Sequence, residues 1–62
     1  MIPVNSSSIR AVGYDGSRLF VLFHTSGTTY THYNVPYSVY AAFMNAASMG
    51  EFYNRHLRGR YH

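Results

Sequence analysis

The segment Arg18-Leu19-Phe20-Val21-Leu22-Phe23-His24 constrains this chain more than any other, because it follows Asp15-Gly16 closely and carries five consecutive apolar side chains. β-Branched, aromatic and aliphatic residues at this density predict a strand. Side chains alternate along a strand, so Leu19, Val21 and Phe23 point to one face and Phe20 and Leu22 to the other. An antiparallel strand with one wet face alternates apolar with polar residues, and this one does not. Both of its faces need cover.

The flanking sequence supplies partners for this strand. Asp15-Gly16 favours the positive backbone angles of a tight hairpin turn, which makes Ile9 to Tyr14 the preceding strand. Thr25-Ser26-Gly27 predicts a second reversal, and Thr28 to Tyr33, dense in threonine and tyrosine, a third strand. Val35-Pro36 ends the sheet, since proline lacks the ladder amide, and the same proline can open a helix. From Tyr37 to Ala47 the positions Val39, Phe43 and Ala46 recur at helical spacing, with Tyr40 and Ala47 beside them, predicting one buried stripe. Ser48-Met49-Gly50-Glu51 matches a capping box. The second helix it opens carries Phe52, Tyr53, His56 and Leu57 on its apolar side and stops near Gly59. The expected fold class is α+β: a small antiparallel three-stranded meander followed by two short α-helices packed on one face.

Two short helices cover one face of the sheet. The other is left to the N-terminal segment folding back or to a second copy of the chain, and an exposed apolar patch of this kind favours a homo-oligomer. Size points the same way. With 62 residues the chain forms one domain, residues 1–62, burying only about 60% of its unfolded surface. No cysteine is available for a disulfide. The lack of cysteine, of a secretory leader and of an apolar run long enough to cross a bilayer predicts a cytoplasmic protein without membrane attachment.

Catalytic chemistry has little to draw on. The two acidic residues, Asp15 and Glu51, are assigned to a turn and a helix cap, so no paired-carboxylate mechanism is expected. Ser6, Ser7 and Ser8 lie in no Gly-x-Ser-x-Gly elbow. His24 and His32, placed opposite each other across a hairpin, lack the thiolate or carboxylate that would complete a metal site. Gly13 and Gly16 bracket a hairpin rather than a strand-to-helix phosphate loop. The reading is of a non-enzyme with no catalytic residue, metal or cofactor.

Binding chemistry is abundant. All five basic residues are arginines, and three of them (Arg55, Arg58, Arg60) fall near the C-terminus with His56 and His62. Guanidinium forks grip phosphate oxygens, and the seven tyrosines offer rings that stack on nucleobases, each for about 1–3 kcal/mol. Taken singly, a tyrosine is expected in the core, with Tyr30 or Tyr33 packing against Phe43; the group as a whole points to a ligand. The candidate ligand-binding residues are Ser6, Ser7, Arg10, Tyr14, Tyr30, His32, Asn54, Arg55 and Arg58.

Val4-Asn5-Ser6-Ser7 with Ile9, Val12-Gly13-Tyr14-Asp15, Leu19 to Phe23, Gly27 with Tyr30, Val35-Pro36, Val39-Tyr40 and the long ending Ala46 to Tyr61 together resemble the KTSC domain. This short family occurs at the end of some lysyl-tRNA synthetases and as free-standing bacterial and phage proteins. The family's central Tyr-x-Tyr stands here as Tyr30-Thr31-His32, with histidine replacing the second aromatic. The resemblance implies a small α+β domain without established catalysis, for which RNA binding has been proposed. In a phage setting it implies a sponge that oligomerises and sequesters the cyclic nucleotides, cyclic dinucleotides among them, that bacteria use as antiviral signals, a form of immune evasion. The alternatives are an RNA-binding module and a protein-interaction domain with no nucleotide ligand.

Overall fold

A computed structural model describes residues 1–61; His62, grouped above with the C-terminal basic cluster, lies outside the described residues. The fold is α+β. Four antiparallel strands, β1 (Ile2–Pro3), β2 (Ile9–Tyr14), β3 (Leu19–Phe23) and β4 (Thr29–His32), form one sheet in the order β1-β2-β3-β4. The helices α1 (Tyr37–Met44) and α2 (Met49–Phe52) follow, and α2 continues as a π-helical turn, Tyr53–Leu57.

The fourth strand corrects the expected count of three. Ile2–Pro3 pairs with Val12 and Ala11 at the edge of the sheet, the one place where proline's missing amide costs no ladder bond. The N-terminal segment therefore folds back beside the sheet rather than over it. Of this segment's described residues, Pro3 and Met1 reach the bare face, Pro3 beside Ala11 and Met1 with its Cγ 3.3 Å from where a Cβ on Gly13 would stand.

Register explains why β2 is hard to read from sequence. The pairing slips between Ile9 and Ala11, a bulge that takes up Arg10. Ile9 and Val12 consequently both enter the core, three residues apart where an unbroken strand would require an even spacing. Cross-strand rows sort the faces. Val12, Val21 and Tyr30 share the helix side, as do Tyr14, Leu19 and His32; Pro3, Ala11, Leu22 and Thr29, and likewise Gly13, Phe20 and Thr31, share the other. The core on the helix side comprises Ile9, Val12, Leu19, Val21, Val35, Phe43, Met49, Tyr53 and Leu57. Among the described residues the far side carries no helix.

The turns are locally determined. Asp15 Oδ1 accepts from the Ser17 and Arg18 amides at 3.1 and 2.6 Å, and Gly16 alone in that turn has positive φ, +98°. Asp15 thus acts as an acceptor flanking the turn rather than as one of its left-handed residues. α1 ends at Met44, three residues before the expected Ala47: the Asn45 side chain donates to the Ala41 carbonyl at 2.8 Å beside the last helical bond, and the Ala46 amide turns to the Phe43 carbonyl, three residues back, at 3.2 Å. Of the expected stripe, Phe43 is buried, Val39 and Ala46 are half-buried and Ala47 is exposed. Ser48 Oγ accepts from the Glu51 amide at 3.4 Å, half of the expected capping box, while the Glu51 carboxylate turns instead to Arg55 at 3.3 Å. His56, expected on the apolar side, is exposed; Met49, Tyr53 and Leu57 make that side.

Candidate functional site

Where β3 turns into β4, the helix side of the sheet opens into a groove of about 490 Å³ lined by Phe23, Thr25, Ser26, Tyr30, Tyr53, Asn54 and Arg58. Three features of the chain create it. Phe23 ends β3 pointing toward the helices, and Tyr30, across from Val21, points the same way. The reversal between them, with Gly27 at φ +64°, places Thr25 and Ser26 at the rim. The π turn then brings the helix against this end: Arg58 N–H donates to the Tyr53 carbonyl at 2.8 Å, five residues back, and Tyr53, Asn54 and Arg58 all line the groove. π turns of this kind recur at functional sites.

The aromatic wall is fixed by edge-to-face packing. Phe23 meets Tyr30 with ring centroids 5.5 Å apart at 73°, and Tyr53 at 5.0 Å and 79°. Tyr53 is anchored from behind. His32 Nδ1 lies 3.0 Å from the Tyr61 carbonyl and Nε2 lies 2.7 Å from the Tyr53 hydroxyl. A carbonyl only accepts, so Nδ1 carries the hydrogen and in the neutral ring Nε2 accepts from the Tyr53 O–H. Burial, then the nearby Tyr30, raise the Tyr53 phenol above its ordinary pKa, and Arg58 acts in the opposite sense.

Three of the residues nominated from sequence, Tyr30, Asn54 and Arg58, therefore meet in one groove framed within a single chain. The others are placed elsewhere. His32 is buried with both ring nitrogens engaged, which leaves it supporting Tyr53 rather than facing a ligand. The Tyr14 hydroxyl lies 2.6 Å from the Val35 carbonyl and its ring stacks on Tyr40 at 4.4 Å and 7°, joining β2 to the start of α1. Burial, followed by Asp15, raises its phenol too. Ser6 and Ser7 line a separate polar groove with Asn5, Ser8 and Ser48, where Ser6 Oγ accepts from the Ser8 and Ile9 amides at 3.2 Å each. Arg55 pairs with Glu51 beside a third, shallower depression, and Arg10 stands in the β2 bulge.

Tyr30 and Tyr33 are exposed, and the tyrosine packed near Phe43 is Tyr53, at 6.5 Å. His24 and His32 do not face each other. His32 is opposite Leu19, at the far end of β3 from His24, whose Nε2–H donates to the Ser6 carbonyl at 3.0 Å. Among the described residues no three His, Cys, Asp or Glu side chains cluster as metal ligands, and no helix is long and apolar enough to cross a membrane. Phe23, Thr25, Ser26 and Tyr53 are the lining residues that sequence reasoning missed. Phe23 and Tyr53 read as core, and the clue to them was position: one closes a strand at a reversal, the other sits one residue from Asn54.

Comparison with known proteins agrees with this architecture. A protein of Tsukamurella paurometabola is 40% identical over 62 residues, a match covering 98% of this chain and 92% of that one. The crystal structure of a KTSC domain protein from Yersinia pestis superposes with a TM-score of 0.91 at 35% identity, covering 97% of this chain and 86% of the other. The KTSC domain model matches residues 5–61, and the chain belongs to the KTSC domain family.

Proposed function

We propose that this protein binds nucleotides without transforming them, and that it acts in the cytoplasm as a self-associating sponge for cyclic nucleotide signals, in the manner of a phage-encoded immune-evasion protein. The observation that carries the reading is the convergence in one groove of an aromatic wall, an amide and a guanidinium without an ion-pair partner among the described residues: exposed Tyr30 for a base, backed by buried Tyr53, Asn54 for polar edges, Arg58 for phosphate. Stacking and charge-assisted hydrogen bonding are the two interactions that nucleotides most need. Binding without catalysis is supported by the disposition of the acids. Asp15 is paired with Arg18 at 2.7 Å and Glu51 with Arg55 at 3.3 Å, so neither is positioned as a general base over the groove. Self-association is supported by the uncovered sheet face carrying Phe20 and Leu22, both only half-buried.

Calorimetry with a panel of cyclic dinucleotides and with single-stranded RNA of increasing length tests this. A sponge binds a cyclic dinucleotide saturably and gains nothing from RNA length. Affinity that grows with RNA length and falls steeply with salt would mark an RNA-binding module instead, and silence toward every nucleotide would leave a protein-interaction domain.

A further inference from the structure

We infer that the groove over Tyr30 takes one base and one phosphate, so that each chain holds a single nucleotide unit; this rests on the nucleotide reading and specifies its ligand. The five arginines are not equivalent. Arg18 donates from Nε to Asp15 Oδ2 at 2.7 Å and lies over the Phe20 ring, 5.3 Å from its centroid. Arg55 is paired with Glu51 at 3.3 Å, and Arg60 donates from Nε to the Arg55 carbonyl at 3.2 Å. Arg10 stands in the β2 bulge, outside the groove. Among the described residues Arg58 is the one cation in the lining, and neither Asp15 nor Glu51 belongs to it.

One unopposed guanidinium matches one phosphate, through two parallel N–H···O bonds. The further phosphates of a di- or triphosphate would enter with no second cation to meet them. They would also lack help from a divalent ion, since such ions are held by one or two carboxylates together with the phosphates and the lining offers no carboxylate. The remaining walls suit a nucleoside. Phe23, Tyr30 and Tyr53 form the apolar side, with Thr25, Ser26 and Asn54 as neutral polar groups. The volume, about 490 Å³, falls in the lower half of the range of small-molecule sites, roughly 300–1,000 Å³. A cyclic dinucleotide, with two bases and two phosphates, then requires two grooves and hence two copies of the chain.

Calorimetry with adenosine, AMP, ADP and ATP, on the wild type and on Arg58→Ala shown by circular dichroism to be folded, decides the matter. The expected result is one AMP per chain, bound roughly tenfold or more tighter than adenosine, the worth of a hydrogen bond to a charged group. ADP and ATP gain nothing over AMP, and Arg58→Ala reduces AMP to the level of adenosine. ATP binding about tenfold tighter than AMP, or an Arg58→Ala protein that binds AMP as the wild type does, overturns the single-phosphate assignment while leaving the nucleotide reading intact. If none of the four probes binds, the assignment of one nucleotide unit per chain falls, and the cyclic dinucleotide panel alone decides the nucleotide reading.

Discussion

Tyr53→Phe removes one oxygen and nothing else from the wall of the groove, and its cost can be worked from the contacts around it. The ring keeps its packing against Phe23 and Phe43, so no cavity opens. What is lost is the 2.7 Å hydrogen bond to His32 Nε2, and that nitrogen, on a side chain buried beneath the helix, is left without a partner. Orphaning a buried polar group costs about 1–3 kcal/mol. A domain of this length commands only about 3–9 kcal/mol in total, and each kcal/mol moves the midpoint of a domain this small by about 4–8 °C. A loss near 2 kcal/mol therefore lowers the melting temperature by roughly 8–16 °C in circular dichroism at neutral pH. The control is Tyr33→Phe, an exposed tyrosine, expected within about 0.5 kcal/mol of wild type. His32→Leu combined with Tyr53→Phe removes both polar partners and should recover part of the loss, because an apolar pair leaves no orphan at that contact. A Tyr53→Phe protein that melts with the wild type would refute the account of His32 as an internal support.

Phe20→Glu places a charge on the half-buried position under Arg18 on the bare face; sedimentation velocity should show association abolished with the fold retained, and unchanged association would remove this face as the contact. The Asp15 carboxyl is lowered to about 2 by the Arg18 amide, the Arg18 side chain and the Ser17 amide. A carboxyl whose pKa is lower folded than unfolded stabilises the fold above the unfolded value, near 4, and loses that contribution as pH falls toward 2. Urea titrations should accordingly find Asp15→Asn less stable than wild type at neutral pH and the two converging near the acid limit. Gly50→Ala brings a Cβ to 2.9 Å from Ser8 Oγ and 3.3 Å from Ser8 Cβ; the hydroxyl can rotate away, the exposed Ser8 backbone must give slightly, and alanine offsets this by favouring a helix by about 1 kcal/mol. Thermal melts should therefore show a change of less than about 1 kcal/mol.

The sequence made the meander of β2, β3 and β4 and the two helical segments legible because each is announced by local chemistry: a glycine turn, a doubly apolar run, a proline, a serine cap. β1 was not, since two residues carry no period and Pro3 argues against a strand until an edge is known to be free. The bulge at Arg10 disguised β2 for a related reason, shifting Ile9 and Val12 onto one face across an odd spacing. At the site, Tyr30, Asn54 and Arg58 were legible as residue types but not as neighbours. Tyr30 is 24 residues from Asn54, and their meeting depends on the π turn that ends the helix, for which residue preferences provide no rule. His32 and Tyr14 were misread for the opposite reason: their polar atoms looked available because the carbonyls of Tyr61 and Val35 that engage them lie 29 and 21 residues away.

On the self-association proposed above, the way copies of this chain would meet follows from where the groove and the bare face lie. The chain exposes 4046 Å², about the 4,100 Å² that a folded monomer of 7.1 kDa exposes, so its burial is ordinary for its size. What would drive the proposed pairing is placement, with Phe20 and Leu22 half-buried on an uncovered face. Strands about 4.8 Å apart and two to six residues long present roughly 270 Å² there. Two such faces laid together would remove about 540 Å², well under the 1,200 Å² or so of a stable interface, and would make a weak, reversible pair. The groove lies on the helix side, so in that pair the two grooves face away from each other. A ligand held between two grooves must join chains of different pairs, and its binding energy adds to association by mass action. Cyclic dinucleotide should therefore carry the assembly past a dimer, to four chains or more, where AMP does not. Light scattering that finds the same mass with either ligand would show that the groove and the bare face do not act together.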